Sequence, residues 1–395
     1  MDERSDRLVA PVLARGFRVF FLLAVAYAVT GMGAWSVFLH GKGTVGYLGA
    51  SPMLWHAHEM VFGYGMAVVA GFLLTAVQNW TGIPTWTGLR LAVLAGIWTV
   101  ARILLLFGGT GLLALAFAAD LLFQGLLMVA VAGPIIRVKQ WRQLGVLAIL
   151  LALLACNCAF YLGGLGGDSA LMRQGTLSGV YLLIALIMLI GARVIPFFTS
   201  KRVDATYAPR KPARLYRLAA GLVLLYWLVD VILVRVMASA VVAGVLALVL
   251  MVILSGWYTG QVWRKPMLWV LHVSYGLIAL GFGMQAAAGF AVVPPTLGLH
   301  TLAVGGIGLM TLGMMARVSM GHTGRNVDAP PRLVSAAFVI LVGAAIVRGL
   351  GPMLVPKFHL QVLGLSQLLW MVAFTALLVV LAPWLTSVRL DGKPG

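Results

Sequence analysis

Apolar runs of membrane-spanning length recur from one end of this 395-residue chain to the other. A bilayer offers backbone amides no water to bond, so such runs must fold as helices or as closed barrels. Runs of about 20 apolar residues match the length of a helix, not of a barrel strand. We place twelve of them, at about 17–39, 54–78, 88–107, 110–132, 142–163, 176–198, 214–235, 239–259, 267–288, 296–319, 332–350 and 361–387. Composition agrees. At 62% hydrophobic and 10% charged residues, with a mean hydropathy of +1.03, the chain has too few polar side chains to cover a soluble surface. The expected fold is all-α, a polytopic integral membrane protein of about twelve transmembrane helices.

Charge placement predicts orientation. With the N-terminus inside, the outer segments hold only Lys42, Arg173, Arg235, Arg348 and Lys357, and the inner segments hold most of the remaining lysines and arginines. This bias predicts an N-in, C-in topology. Topology and contact with anionic membrane lipid then account for the net charge of +18, and no nucleic-acid partner is needed. The first apolar run is longer than a signal-peptide core and no A-x-A site follows it, so it reads as a retained span. We expect a single transmembrane domain over 1–395, with a basic inner loop at about 199–213 between spans 6 and 7. No internal repeat is evident in the sequence.

The polar residues inside these runs carry the functional signal. Leu54-Trp55-His56-Ala57-His58-Glu59-Met60 opens the second span with two histidines and a glutamate, groups that hydrocarbon penalises by several kcal/mol unless something binds them. Imidazoles in such places hold metals or carry protons. His272, His300 and His322 also lie in or beside spans. Depth sorts the five into an outer set (His56, His58, His300) and an inner set (His272, His322), which predicts two centres, or one centre with a proton or electron route. On a regular helix His56 and His58 diverge by about 200°, so each faces a different partner, while Glu59 shares the face of His56 through i+3 spacing. A helix that starts only near residue 58 would instead permit an H-x-H chelate. Pro52 suits a first helical turn and favours a helix already formed at 56. Glu59 is a candidate proton donor or an orienter of a ligating histidine.

Arg193 ends span 6, and its guanidinium fork suits a carboxylate; snorkelling to the interface is the plainer alternative. Arg102, Asp120 and Asp230 are expected to pair between helices. The glycines of span 10, Gly305, Gly306, Gly308 and Gly313, allow either tight helix packing or space for a flat porphyrin. Cys156 and Cys158 sit two apart on one helix and cannot bridge each other.

These residues lie in segments that resemble the NnrS family, bacterial inner-membrane proteins that contain haem and copper and act in the response to nitric oxide. The matching segments are WHAHEMVFGYGMAVVAGFLLTAVQNWTG (55–82), ARVIPFF (192–198), LHVSYGLIALG (271–281) and HTLAVGGIGLMTLGMMARVSMGHTGR (300–325). The resemblance implies twelve spans, haem, copper, and protection against nitrosative stress in a bacterial inner (cytoplasmic) membrane. It makes His58, His272, His300, His322 and Arg193 candidates for cofactor binding, with His56, His58, His272, His300 and His322 as candidate metal ligands. No C-x-x-C-H motif is present, so any haem is non-covalent and of b type. The implied partner is nitric oxide, with quinol or a protein as electron donor if it is consumed. An oxidoreductase that consumes nitric oxide and a stoichiometric nitric oxide binder both satisfy the sequence. A twelve-span secondary transporter and an assembly factor for a respiratory complex are the alternatives. The loop after span 2 lacks the G-x-x-x-D-[RK]-x-G-[RK] signature of major-facilitator transporters, and an assembly role leaves the intramembrane histidines unexplained.

Overall fold

The computed structural model describes residues 10–41, 52–203 and 207–392. Arg4, Arg7, Lys42, Lys393 and residues 204–206 of the basic loop lie outside the described residues. All twelve expected spans are helices: α1 (Gly16–Leu39), α2 (Pro52–Thr81), α3 (Gly88–Phe107), α4 (Thr110–Arg137), α5 (Trp141–Gly166), α6 (Ser169–Arg202), α7 (Ala213–Ile232), α8 (Val236–Ser255), α9 (Pro266–Gly289), α10 (Pro295–His322), α11 (Arg332–Leu354) and α12 (Pro356–Thr386). The described residues contain no strand. The protein is therefore a multi-pass helical membrane protein. α6 runs past Pro196 to Arg202, so the loop between spans 6 and 7 begins later than the hydropathy suggests. Large apolar side chains such as Leu151 (61% exposed) and Leu248 (70%) point away from the protein, as lipid contact requires.

By contacts the chain divides into two compact units. The first comprises Met1–Gly179, Val318–Arg325 and Leu377–Gly395, and the second Val180–Arg317 and Asn326–Ala376. The division falls inside α6, α10 and α12. Each unit has one deeply buried helix. In α2, 89% of the most apolar window is buried, and in α10, 78%, against 61% or less for every other span. These two helices are therefore where polar groups can be shielded from lipid.

In the first unit, small residues let α1 lie against α2. A Cβ at Gly71 would sit 2.8 Å from the Phe21 ring and 3.1 Å from Phe20, and both rings are fully buried. Arg18, 1% exposed, donates from Nη1 to the carbonyls of Leu385 (3.1 Å) and Ser387 (2.7 Å), so a cation closes the end of α12. In the second unit, the glycine face of α10 is filled by its neighbours. Added Cβ atoms at Gly305, Gly306, Gly308 and Gly313 would meet Leu277, Ile278, Trp370 and Val270 at 2.6–2.8 Å. That face serves tight packing, the first of its two readings: the removed bulk is occupied by side chains of α9 and α12.

Gly71→Val should lower stability in detergent by about 1–3 kcal/mol through overpacking. Gly96→Val, on an open helix face, should leave the thermal midpoint unchanged. Equal midpoints for the two variants would contradict the packing of α1 on α2.

Candidate functional site

The buried site forms where α2 changes its winding. Pro52 opens a regular helix that runs to His58, as its first-turn position predicts. From Glu59 to Gly65 the winding is π-helical, with i→i+5 bonds and a wider turn. Gly63 sits in this stretch because nothing larger fits. A Cβ there would lie 2.8 Å from the Tyr27 ring and 2.9 Å from Arg102 Nη1. The missing side chain lets α1 and α3 bring those groups up to Glu59.

The result is a closed ring of polar side chains. Glu59 Oε1 faces His58 Nδ1 at 2.8 Å and accepts from Arg102 Nη1 at 2.8 Å. Glu59 Oε2 accepts from the Tyr27 hydroxyl. The other end of Arg102, Nη2, pairs with Asp120 Oδ2, which also accepts from Tyr161 at 2.7 Å. Asn157 closes the ring through a 2.8 Å contact between its Oδ1 and His58 Nε2. Every charged member is shielded: His58, Glu59 and Asp120 are 0% exposed and Arg102 is 4%. Phe160 stacks on the His58 imidazole with centroids 4.1 Å apart, and Trp55, Leu105 and Leu113 belong to the same apolar cluster.

Arg102 carries one positive charge and the two carboxylates two negative charges, so the count closes when a further proton is held. Both His58 nitrogens face oxygen. The two bonds are satisfied by a doubly protonated imidazole beside ionised Glu59, or by a protonated Glu59 that donates to Nδ1. The two forms differ only in where the proton lies along the 2.8 Å line between Nδ1 and Oε1. Asp120 Oδ1 and Arg102 Nε have no hydrogen-bond partner among the described residues, which leaves one acceptor and one donor for a further polar group.

The histidines predicted to act together are distributed. His56, His58 and His322 belong to the first unit, and His272 and His300 to the second. His56 stacks on Trp35 (4.7 Å, 12°) while His58 enters the ring, so the two face different surroundings, as their spacing requires. Glu59 bonds His58, not His56 as i+3 spacing would have it, because it stands at the start of the π-helical stretch. His322 packs on Phe17 (5.5 Å), at the opposite end of α1 from Tyr27, about 15 Å away at 1.5 Å per residue. In the second unit, His272 directs Nδ1 to the Leu268 carbonyl (3.0 Å) and Nε2 to that of Trp257 (3.3 Å). His300 directs Nδ1 to the Thr296 carbonyl at 2.8 Å, with Arg348 Nη2 3.1 Å from Nε2. Arg193 is exposed on α6. Cys156 and Cys158 are free thiols. Among the described residues, no group of three or more His, Cys, Asp and Glu side chains is arranged to hold a metal ion.

Sequence reasoning reached His58, Glu59, Arg102 and Asp120 through their charge in an apolar run. It missed Tyr27, Asn157 and Tyr161, whose only signal is a polar atom within a span. Arg348, counted with the outer segments by charge placement, lies inside α11 beside His300.

Fold and site together define a polytopic helical membrane protein with a buried ring of charged and polar side chains around its second span. The family model for the NnrS protein matches residues 11–389, nearly the whole chain, and the chain belongs to the NnrS family. No curated protein matches it.

Arg102→Met would strand two buried carboxylates and should cost about 3–5 kcal/mol of stability. The combined Arg102→Met, Glu59→Gln, Asp120→Asn variant should recover most of that loss in detergent unfolding. A cost of only ~0.5 kcal/mol for Arg102→Met, as for an exposed pair, would contradict a sealed ring.

Proposed function

We propose that this protein is a haem- and copper-binding component of the nitric oxide response in a bacterial inner membrane, with both termini inside, that binds or consumes nitric oxide. The observation that carries the reading is the buried ring in a chain of the NnrS family: a carboxylate and an imidazole stand 2.8 Å apart, both fully buried, in the first unit.

The donor chemistry was weighed against each group. Haem iron asks for an imidazole with one nitrogen held by a hydrogen bond and the other presented as a lone pair. His300 meets this in part: the Thr296 carbonyl accepts from Nδ1, and Arg348 Nη2 stands 3.1 Å from Nε2, so Nε2 would be presented to iron only once Arg348 turned away from it. Arg348 beside it suits a propionate carboxylate. His322 meets the other half: its partly exposed ring can present a lone pair, but no hydrogen bond holds its second nitrogen among the described residues. His58 and His272 direct both nitrogens at protein oxygens. Copper asks for several donors on one ion, and the described residues gather no such set. Copper is therefore assigned to no residue and no step is drawn through it.

When bound, ferrous haem supplies an iron that takes nitric oxide as a ligand. The chain's own contribution is proton handling. Glu59 and His58 share a proton along Nδ1–Oε1, and Arg102 keeps Glu59 anionic when the proton sits on the ring. Tyr27 and Tyr161 orient the two carboxylates. Phe160 and its apolar neighbours exclude water, which prevents the proton from leaking to bulk. In this reading Glu59 is the candidate proton donor, and electrons would come from quinol or a protein donor if nitric oxide is consumed.

A buried ionisable network also suits a proton-coupled transporter. Against that reading, the two compact units divide within α6, α10 and α12 and not at the loop between α6 and α7.

The visible spectrum of the purified protein, expressed with adequate haem and copper, tests the proposal. We expect a Soret band that shifts on addition of nitric oxide, reduced haem content in His300→Ala and His322→Ala, and unchanged content in His58→Gln. A colourless wild-type preparation would overturn it.

A further inference from the structure

We propose that the second unit carries a separate anion site for a phosphate group, at the ends of α6, α9 and α10. It stands independently of the haem reading. A small recess there, open on one side, is lined by Arg202, Lys265, Arg317, Asp328 and the first turn of α9 from Pro266 to Leu268, with Val327 beside them. Three of these side chains are cations and one is an anion. Arg202 pairs with Asp328, and Lys265 Nζ lies 3.9 Å from the same carboxylate. That single carboxylate is within ion-pair distance of two cations and reaches the third, Arg317, only from farther off.

Arg317 is the decisive residue. It is 5% exposed, and a buried guanidinium without a close counter-charge is costly. Its partners are weak ones: Nη1 donates to the Met267 carbonyl at 3.1 Å, and Cζ lies 3.6 Å above the Phe198 ring. These contacts fix the plane of the guanidinium, as a recognition group requires, without neutralising it. The side chain lines the recess, with Nη1 its hydrogen-bond donor to the protein. The N-terminus of α9, a 24-residue helix, adds the positive end of its dipole to the same space.

The chemistry selects the ligand class. A net charge of two positive units, a planar guanidinium fork and a helix N-terminus match a tetrahedral oxyanion with two negative charges. The phosphate can come from the headgroup of an acidic lipid, since the site stands at helix ends, or from a free phosphate or phosphomonoester in solution.

Thermal unfolding of the full-length protein in detergent separates these sources. One arm titrates inorganic phosphate against chloride at equal ionic strength. The other adds phosphatidic acid or phosphatidylcholine to the micelles. Stabilisation by inorganic phosphate identifies a soluble anion, and stabilisation by phosphatidic acid alone identifies a headgroup. In either case Arg317→Met should abolish the shift and Lys265→Gln should weaken the midpoint concentration about tenfold. Asp328→Asn, which removes the competing carboxylate, should tighten it, while Arg137→Met on α4 should match wild type. Lys265 and Asp328 are partly exposed, so their opposite shifts remain readable even if Arg317→Met does not fold. Absence of stabilisation in both arms, or the same shift in Lys265→Gln, Asp328→Asn and wild type, would overturn the proposal.

Discussion

A charge inside a bilayer has to be closed by its neighbours, and the first unit is arranged around that requirement. Its second span carries Glu59 at the depth of Arg102 on α3 and Asp120 on α4, with His58 and Asn157 completing the circuit. Each bond in the ring constrains a different helix. α1 supplies Tyr27, α3 Arg102, α4 Asp120, and α5 both Asn157 and Tyr161. Five helices are thus held in register by groups that would be expelled to the interface if any partner were missing. Apolar packing around the ring contributes area, but area alone would not select this register.

The two most buried helices follow one plan with different contents. In α2, His58 directly precedes the π-helical stretch Glu59–Gly65, and in α10, His300 directly precedes Thr301–Gly308. Gly63 and Gly71 follow His58 at the spacing at which Gly305 and Gly313 follow His300. In each case the next helix brings an arginine to the site, Arg102 in one and Arg348 in the other. This parallel was invisible at the level of overall sequence similarity, where no repeat stands out. The difference lies in the residue after the histidine. Glu59 gives the first site a carboxylate that faces the imidazole of His58. Thr301 gives the second site none, and His300 faces Arg348 instead.

The spans were legible because every helix in lipid must satisfy its own backbone and cover itself with apolar side chains. The polar anomalies were legible for the same reason, since Glu59, Arg102 and Asp120 stand out against such a background. Their partners were not, because pairing across helices depends on register that no local pattern encodes. Asn157 and Tyr161 lie about a hundred residues from Glu59 in the chain and only three-dimensional packing joins them. The π-helical turns were equally hidden. Glycines such as Gly63 and Gly305 are ordinary in membrane helices, and only the atoms that fill the space beside them show why they are needed. Arg317 and Arg348 were counted as topology signals, and their distance from carboxylates emerges only when α9, α10 and α11 are assembled.

Infrared difference spectroscopy addresses the central claim directly, because it reads the proton on Glu59. The account predicts that adding nitric oxide to the reduced, metal-loaded protein changes a protonated-carboxyl band, that Glu59→Gln removes the change, and that Asp120→Asn shifts it. A difference spectrum with no carboxyl change in wild type, or one that persists unaltered in Glu59→Gln, would contradict a proton held between His58 and Glu59 and used at the nitric oxide site.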